Sequence, residues 1–336
     1  MNILLTGGLG YLGSHAAVAL LAAGHQVVLL DNLSNSRAEV ADQIAQIAGQ
    51  PVRLVVGDIR DTALLKQVMQ DAGTDAVMHF AGLKVVGDSS RDPLAYYQNN
   101  VTGTLSLLQA MKAAGVQRLV FSSSATVYGE PEYQPVDENH PTRALTPYGR
   151  TKLQIEQILE DMATSDSEWC IAVLRYFNPV GAHESGLIGE VTQGEPSNLT
   201  PYIAQVAAGL RPFLRVYGSD YDTTDGTAVR DFIHVQDLAE GHVAALDFLA
   251  SHQGCHAFNL GTGRGYTVLE MVNAFAQACA RPIPYELVGR REGDVAVSCA
   301  SVVKAKNFLG WQAQRGLDEM CASIWRWQQS CERVGS

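Results

Sequence analysis

The chain has 336 residues, 46% of them hydrophobic and 18% charged, enough for a substantial apolar core. Its net charge of -11 excludes a broad nucleic-acid surface, although a local arginine cluster can still take an anionic ligand. No apolar run approaches the length of a membrane span, and the segment from Met1 to Thr6 lacks the basic region and cleavage site of a signal peptide; a cytoplasmic protein is expected.

Apolar runs at 3–5, 27–30, 52–56, 76–80, 119–122 and 171–174 read as strands. Between them, 11–23, 36–48, 61–72, 93–114 and 147–164 read as helices. This alternation predicts an α/β fold, a doubly wound, Rossmann-like parallel sheet with its ligand site beyond the carboxyl ends of the strands. After about residue 177 the pattern changes. The stretch 178–226 is rich in Gly, Pro and Asn, with a short helix near 201–209. A strand at 257–260 and helices at 268–280 and 317–329 follow. The expected division is a dinucleotide-binding part, 1–177, and a smaller α/β part, 178–336, with roughly 230–260 returning to the first. Cys170, Cys255, Cys279, Cys299, Cys321 and Cys331 form neither a C-x-x-C pair nor a metal-ligand spacing, so reduced thiols and no metal are expected. His79 lies in an apolar run and reads as a core residue.

Gly7, Gly10 and Gly13 follow the first strand and open the first helix. Glycines there allow a tight turn and let backbone N–H groups approach a pyrophosphate at the helix N-terminus. Asp31 ends the next strand, where a carboxylate can accept from both adenosine ribose hydroxyls and repels a 2′-phosphate; NAD is therefore expected over NADP. Arg37 reads as a solvated charge at a helix start. Asp58 and Ile59 follow the third strand, beside a cap at Asp61.

Tyr148 and Lys152 lie four apart on one helix face, with Thr146 as the expected N-cap and Pro147 as the first helical residue. Tyrosine ordinarily titrates near ~10, too high for a base at neutral pH, and a neighbouring ammonium is expected to lower it. With Ser124, at the end of the fifth strand, they can take a proton from a sugar hydroxyl while a dinucleotide takes the hydride.

These motifs resemble the extended short-chain dehydrogenase/reductases and, within them, the UDP-glucose 4-epimerase family, over nearly the whole chain. The resemblance is carried by 6–15, 31–33, 57–60, 79–84, 97–100, 122–129, 148–152, 174–182, 198–206, 230–235 and 290–294. It implies reversible C4 epimerisation of UDP-galactose and UDP-glucose with tightly bound NAD, in galactose metabolism, by a homodimer. It implies that Tyr11 and Leu12 lie on the pyrophosphate, and Asp31, Asn32, Leu33, Ser34, Asn35 and Ser36 around the adenosine ribose. Asp58 and Ile59 would flank the adenine. Phe80, Ala81, Gly82, Leu83, Lys84, Asn99, Ser122 and Phe177 would line the cofactor, and Tyr148 and Lys152 would hold the nicotinamide ribose. Lys84, Ser124, Tyr148, Phe177, Asn178, Asn198 and Leu199 would hold the UDP-sugar, with Val216 and Tyr217 against uracil. Arg230 and Arg291 would bind the diphosphate, Asp294 the uridine ribose, and Ser298 would wall the sugar's C2 substituent. Arg290 reads as a surface ion pair.

Two departures stand out. The stretch 298–304 lacks the aspartate that family members carry after Ala300. Ser298 stands where some relatives have a bulky tyrosine, which implies acceptance of UDP-GlcNAc and UDP-GalNAc as well. The rival readings are a nucleotide-sugar dehydratase, a decarboxylase acting on UDP-glucuronate, and a nucleotide sensor without catalysis. A 4,6-dehydratase needs carboxylates after Thr126, and none occurs between Ser124 and Tyr128.

Overall fold

The structure is a computed structural model that describes residues 1–334 except 192, 193, 195, 197 and 292. Its main sheet has seven parallel strands: β1 (Asn2–Thr6), β2 (Gln26–Asp31), β3 (Arg53–Val56), β4 (Ala76–His79), β5 (Arg118–Ser124), β6 (Cys170–Tyr176) and, after other elements, β10 (Gly254–Leu260). Their order is β10-β6-β5-β4-β1-β2-β3. The order reverses between β1 and β4, so their carboxyl ends splay and leave a crevice there.

Helices cover both faces. On one side lie α1 (Tyr11–Ala22) and α2 (Glu39–Ala48), on the other α3 (Thr62–Ala72) and α7 (Pro147–Ser165). Both faces are apolar because a parallel sheet between two helical layers is buried on both sides. The segment expected as one helix, 93–114, is continuously helical and carries a π turn within it. After α4 (Val86–Arg91) come α5 (Pro93–Tyr96), a π-helical turn (Tyr97–Thr102) and α6 (Gly103–Ala114). A Cβ at Gly103 would approach Ile59 Cδ1 to 2.4 Å, so glycine lets this helix lie against the loop after β3.

The second half builds a smaller body. Strands β7 (Asn178–Val180), β9 (Val229–His234), β11 (Gly265–Thr267) and β13 (Val297–Ser298) form one sheet; β8 (Leu214–Tyr217) and β12 (Tyr285–Val288) form a parallel pair. They pack with α8 (Leu199–Ala207), α10 (Val268–Cys279) and α11 (Leu317–Val334) around Ile203, Phe232, Phe275 and Met320. The helix α9 (Val235–Phe248), absent from the sequence reading, follows β9, packs on α1 and leads into β10 at the edge of the main sheet. His79 is a satisfied core residue. Its Nδ1 lies 2.6 Å from Thr6 Oγ1 and its Nε2 2.9 Å from Thr104 Oγ1, and burial lowers its pKa to about 3.

Candidate active site

The crevice at the strand ends holds a cavity of about 350 Å³. Gly7, Gly10, Tyr11, Leu12, Gly13, Asp31, Asn32, Ser34, Asn35 and Ile59 line one end. Phe80 to Lys84, Asn99, Ser122, Ser124, Tyr148, Lys152, Phe177, Asn178, Asn198 and Leu199 line the rest. The two halves of the chain thus meet over one continuous space.

The glycine loop is compact by necessity. A Cβ at Gly7 would sit 2.6 Å from Ala81 N, and one at Gly13 would sit 2.2 Å from Gly7 O. Gly10, the N-cap of α1, offers no capping side chain. The first-turn N–H groups therefore face the cavity without a protein acceptor, the arrangement that receives a phosphate. Asp31 is buried at the far wall, where its carboxylate accepts from Leu9 N (3.1 Å), Leu33 N (3.0 Å) and Ser36 Oγ (2.7 Å). Leu33 and Ser36 stand behind Asp31 and do not line the cavity. Asp58 also stands outside it, in an ion pair with Arg60 that holds its carboxyl below the usual range.

Asn100, on the π turn, pins the loop after β4. It accepts from Leu83 N at 2.8 Å and donates to Leu83 O at 3.0 Å and Thr151 Oγ1 at 3.1 Å. Asn99 Nδ2 donates to Asn100 Oδ1 at 3.0 Å. Asn99 lines the cavity, while Asn100 beside it on the π turn holds the loop.

The helix α7 starts as its sequence predicts, with Thr146 Oγ1 accepting from Gly149 N at 3.2 Å and Pro147 in the first turn. Lys152 is buried and Tyr148 half-buried at the cavity wall. Lys152 Nζ donates to Ser122 O at 2.5 Å and lies 4.8 Å from the centre of the Phe121 ring. Ser124 Oγ accepts from Thr126 N (3.2 Å) and Thr126 Oγ1 (3.0 Å), so its own O–H is left to donate. It bonds the Tyr148 phenol and lowers its pKa.

The electrostatics correct one expectation. Burial pushes the Tyr148 phenol up to about 12, and Ser124, not Lys152, supplies the opposing pull. The lysine's charge is directed to the Ser122 carbonyl. Burial also lowers Lys152 to about 8, while Glu156, one helical turn on, raises it.

A second cluster lies beside the first. Arg230 donates to Val229 O (2.9 Å) and Val295 O (2.8 Å) and reaches Asp294 Oδ1 at 3.4 Å. The Arg291 guanidinium lies 4.2 Å from the centre of the Tyr217 ring, and Val216, the preceding residue of β8, is buried. Arg290 pairs with Asp220 at 2.8 Å in an exposed position, as read from the sequence. Ser298 sits on β13 in register with Arg230. Arg230, Arg291, Asp294, Tyr217, Val216 and Ser298 do not line the 350 Å³ cavity. Around Ser298, the Gln134 amide donates to Val297 O at 2.9 Å and accepts from Cys299 N at 3.1 Å. Ser301 N donates to Val136 O at 2.7 Å, so backbone pairing anchors this stretch without the aspartate.

The sequence reading missed Thr126, Tyr176 and Glu190, all of which line the cavity. Thr126 could have been found from its place two residues after Ser124. Glu190 lies in a loop whose composition gives no periodic signal.

The family model described as the NAD dependent epimerase/dehydratase family matches residues 3–261. The chain belongs to that family. It is 54% identical to the UDP-glucose 4-epimerase of Bacillus subtilis (strain 168) over 330 residues, covering 98% of this chain and 97% of that one. A UDP-glucose 4-epimerase from Stenotrophomonas maltophila, solved with bound NAD and formylated UDP-arabinopyranose, matches at a TM-score of 0.98 and 53% identity over 99% of each chain. One from Bifidobacterium longum, in complex with NAD+ and UDP, matches at 0.95 and 49% over 98% of each.

Proposed function

We propose that this protein inverts C4 of UDP-galactose and UDP-glucose reversibly, with NAD held tightly through the cycle. One observation carries the reading: the uncapped glycine loop and the Ser124–Tyr148–Lys152 group open into the same cavity as Asn178, Asn198 and Leu199. The cavity fits the cofactor, since the bare N-terminus of α1 suits a pyrophosphate and the buried Asp31 suits a ribose. Bound NAD supplies a reversible hydride acceptor for the sugar's C4.

The chain's own residues handle the proton and the geometry. Tyr148, as phenolate, takes the proton from the C4 hydroxyl and, once the keto sugar has turned, returns it to the same oxygen. Ser124 donates to the same oxygen and relays the proton. Lys152 holds the nicotinamide ribose and fixes a positive charge one helical turn from the base. Arg230 and Arg291 grip the diphosphate and Tyr217 meets the uracil, so the 4-keto sugar turns about an anchored nucleotide. In this division of labour 1–177 serves the cofactor and 178–336 mainly the UDP-sugar, with roughly 230–260 supporting the first.

A dehydratase is disfavoured. Among the described residues lining the cavity, the carboxylates are Asp31 and Glu190; Asp31 is engaged by backbone amides and Glu190 by Lys84. Neither adjoins Ser124 in the chain. A homodimer is part of the proposal, supported by the exposed Leu94 and Leu105 on α5 and α6, and sedimentation velocity tests it. A cytoplasmic setting is supported by six unpaired cysteines. The deciding assay is incubation with UDP-galactose without added NAD. Appearance of UDP-glucose is expected; a single-face product or none refutes the proposal.

A further inference from the structure

Glu190 stands in the loop between β7 and α8, outside every motif of the sequence reading. Its Oε1 accepts from Lys84 Nζ at 2.8 Å and from Asn198 Nδ2 at 2.7 Å. Lys84 belongs to the loop after β4, and Asn198 is the N-cap of α8. One oxygen atom therefore joins the two halves of the molecule across the cavity. The Glu190 side chain is 10% exposed, whereas that of Lys84 is 51% exposed. Trp327 Nε1 on α11 donates to the Glu190 carbonyl at 3.3 Å and anchors the loop from behind.

A carboxylate is a poor choice for a cavity meant to hold anions. It repels both a pyrophosphate and the diphosphate of a nucleotide sugar. Lys84 alone faces the opposite problem. A half-exposed ammonium on a flexible stem would swing to the nearest phosphate oxygen and leave the sugar. The pair solves both: Glu190 restrains the lysine, and the lysine neutralises Glu190.

We propose that Glu190 is a positioning residue for the hexose, acting through Lys84 and Asn198. It holds an ammonium and an amide at one point of the wall, so that the sugar meets two preset donors. It also keeps Lys84 from pairing with the diphosphate. The inference rests on the reading that Lys84 and Asn198 belong to the sugar end of the site.

The test uses the holoenzyme and the variants Glu190→Ala, Glu190→Gln, Lys84→Met and the double variant Glu190→Ala/Lys84→Met. Steady-state kinetics with UDP-galactose is compared with calorimetric binding of UDP, which has no sugar. Glu190→Ala should lower kcat/KM by roughly tenfold or more, the scale for losing hydrogen bonds to a charged group. UDP affinity should be unchanged or tighter, because a negative charge has gone. Glu190→Gln keeps an acceptor for Asn198 and should fall between. The double variant should lose less than the product of the two single losses, because part of the Glu190 effect runs through the lysine. Parallel loss of UDP binding would mean general damage and overturn the proposal. So would single-variant losses that multiply in the double variant, or wild-type kcat/KM in Glu190→Ala beside an impaired Lys84→Met. Wild-type kinetics in Lys84→Met would instead overturn the assignment of Lys84 to the sugar, and this inference with it.

Discussion

Glu156 offers the sharpest test of how the fold supports the site. It lies on α7 one turn past Lys152, with its carboxylate inside a buried network. Arg175 of β6 reaches it through Nη2 at 2.7 Å and through Nε at 3.2 Å to each oxygen. The Ser123 hydroxyl also donates to it. The network continues from Arg175 Nη1 to Tyr128 Oη (3.0 Å) and from there to Asn259 Oδ1 (2.7 Å). The two side chains are 10% and 8% exposed, so the pair has left water almost completely. Glu156→Gln removes the charge while keeping the shape, and leaves the guanidinium buried without its counter-ion. Breaking such a pair costs ~3–5 kcal/mol. For 336 residues the unfolding entropy is roughly 0.7 kcal/mol per degree, so the melting temperature should fall by ~4–7 °C.

The same change should act on Lys152. Burial lowers that lysine to about 8, and Glu156 is the influence that raises it. A lysine whose folded pKa lies below its ordinary 10.5 destabilises the fold while protonated, and the penalty is relieved as pH rises from about 8 toward 10.5. Without Glu156 the ammonium is lost at a lower pH, so activity that depends on it should fail earlier on the alkaline side. Scanning fluorimetry and a kcat profile from pH 6 to 10 measure both effects. Glu156→Leu combined with Arg175→Met should recover much of the lost stability, since no buried charge is then unpaired. A Glu156→Gln variant with an unchanged melting temperature and alkaline limb would refute the reasoning.

Three further outcomes are expected. Tyr148→Phe should keep nucleotide binding and lose ~10²–10⁴-fold in kcat, the usual share of a proton-transfer group; near wild-type turnover would remove Tyr148 from the mechanism. The nucleotide released from the purified protein by heat should be NAD, because a carboxylate at Asp31 beside the ribose would repel a 2′-phosphate; NADP in the supernatant would overturn that. Ser298→Tyr should abolish turnover of UDP-N-acetylgalactosamine and spare UDP-galactose, because added bulk excludes the larger substituent. Since Gln134 holds the backbone on both sides of residue 298, the tyrosine cannot easily back away. No conversion of UDP-N-acetylgalactosamine by the unsubstituted protein at high enzyme concentration would show that another side chain fills the space.

Most strands of the first half are legible in the sequence because they are buried on both faces and read as apolar runs, while the edge strand β3 keeps an apolar run although Arg53 and Val56 are exposed. The glycine loop, the Thr146 cap and the Tyr148–Lys152 spacing are legible for the same kind of reason: each is a local requirement met by neighbouring residues. The very short strands of the second half, such as Val297–Ser298 and Gly265–Thr267, cannot display a period of two. The helix α9 carries Gly241 in its middle, where a Cβ would sit 3.2 Å from Leu260 Cδ1 and from Trp311 Cε2. Its glycine answers to distant partners, so local propensity misreads it. Likewise the π turn answers to the packing around Asn100, and Glu190 becomes a cavity residue only when the two halves close over it. The chemistry of the tyrosine divides in the same way. Sequence alone placed a phenol and an ammonium on one helix face, but only the tertiary structure set the direction in which each pKa moves, because burial and the Ser122 carbonyl that engages the lysine come from chain segments far apart in sequence.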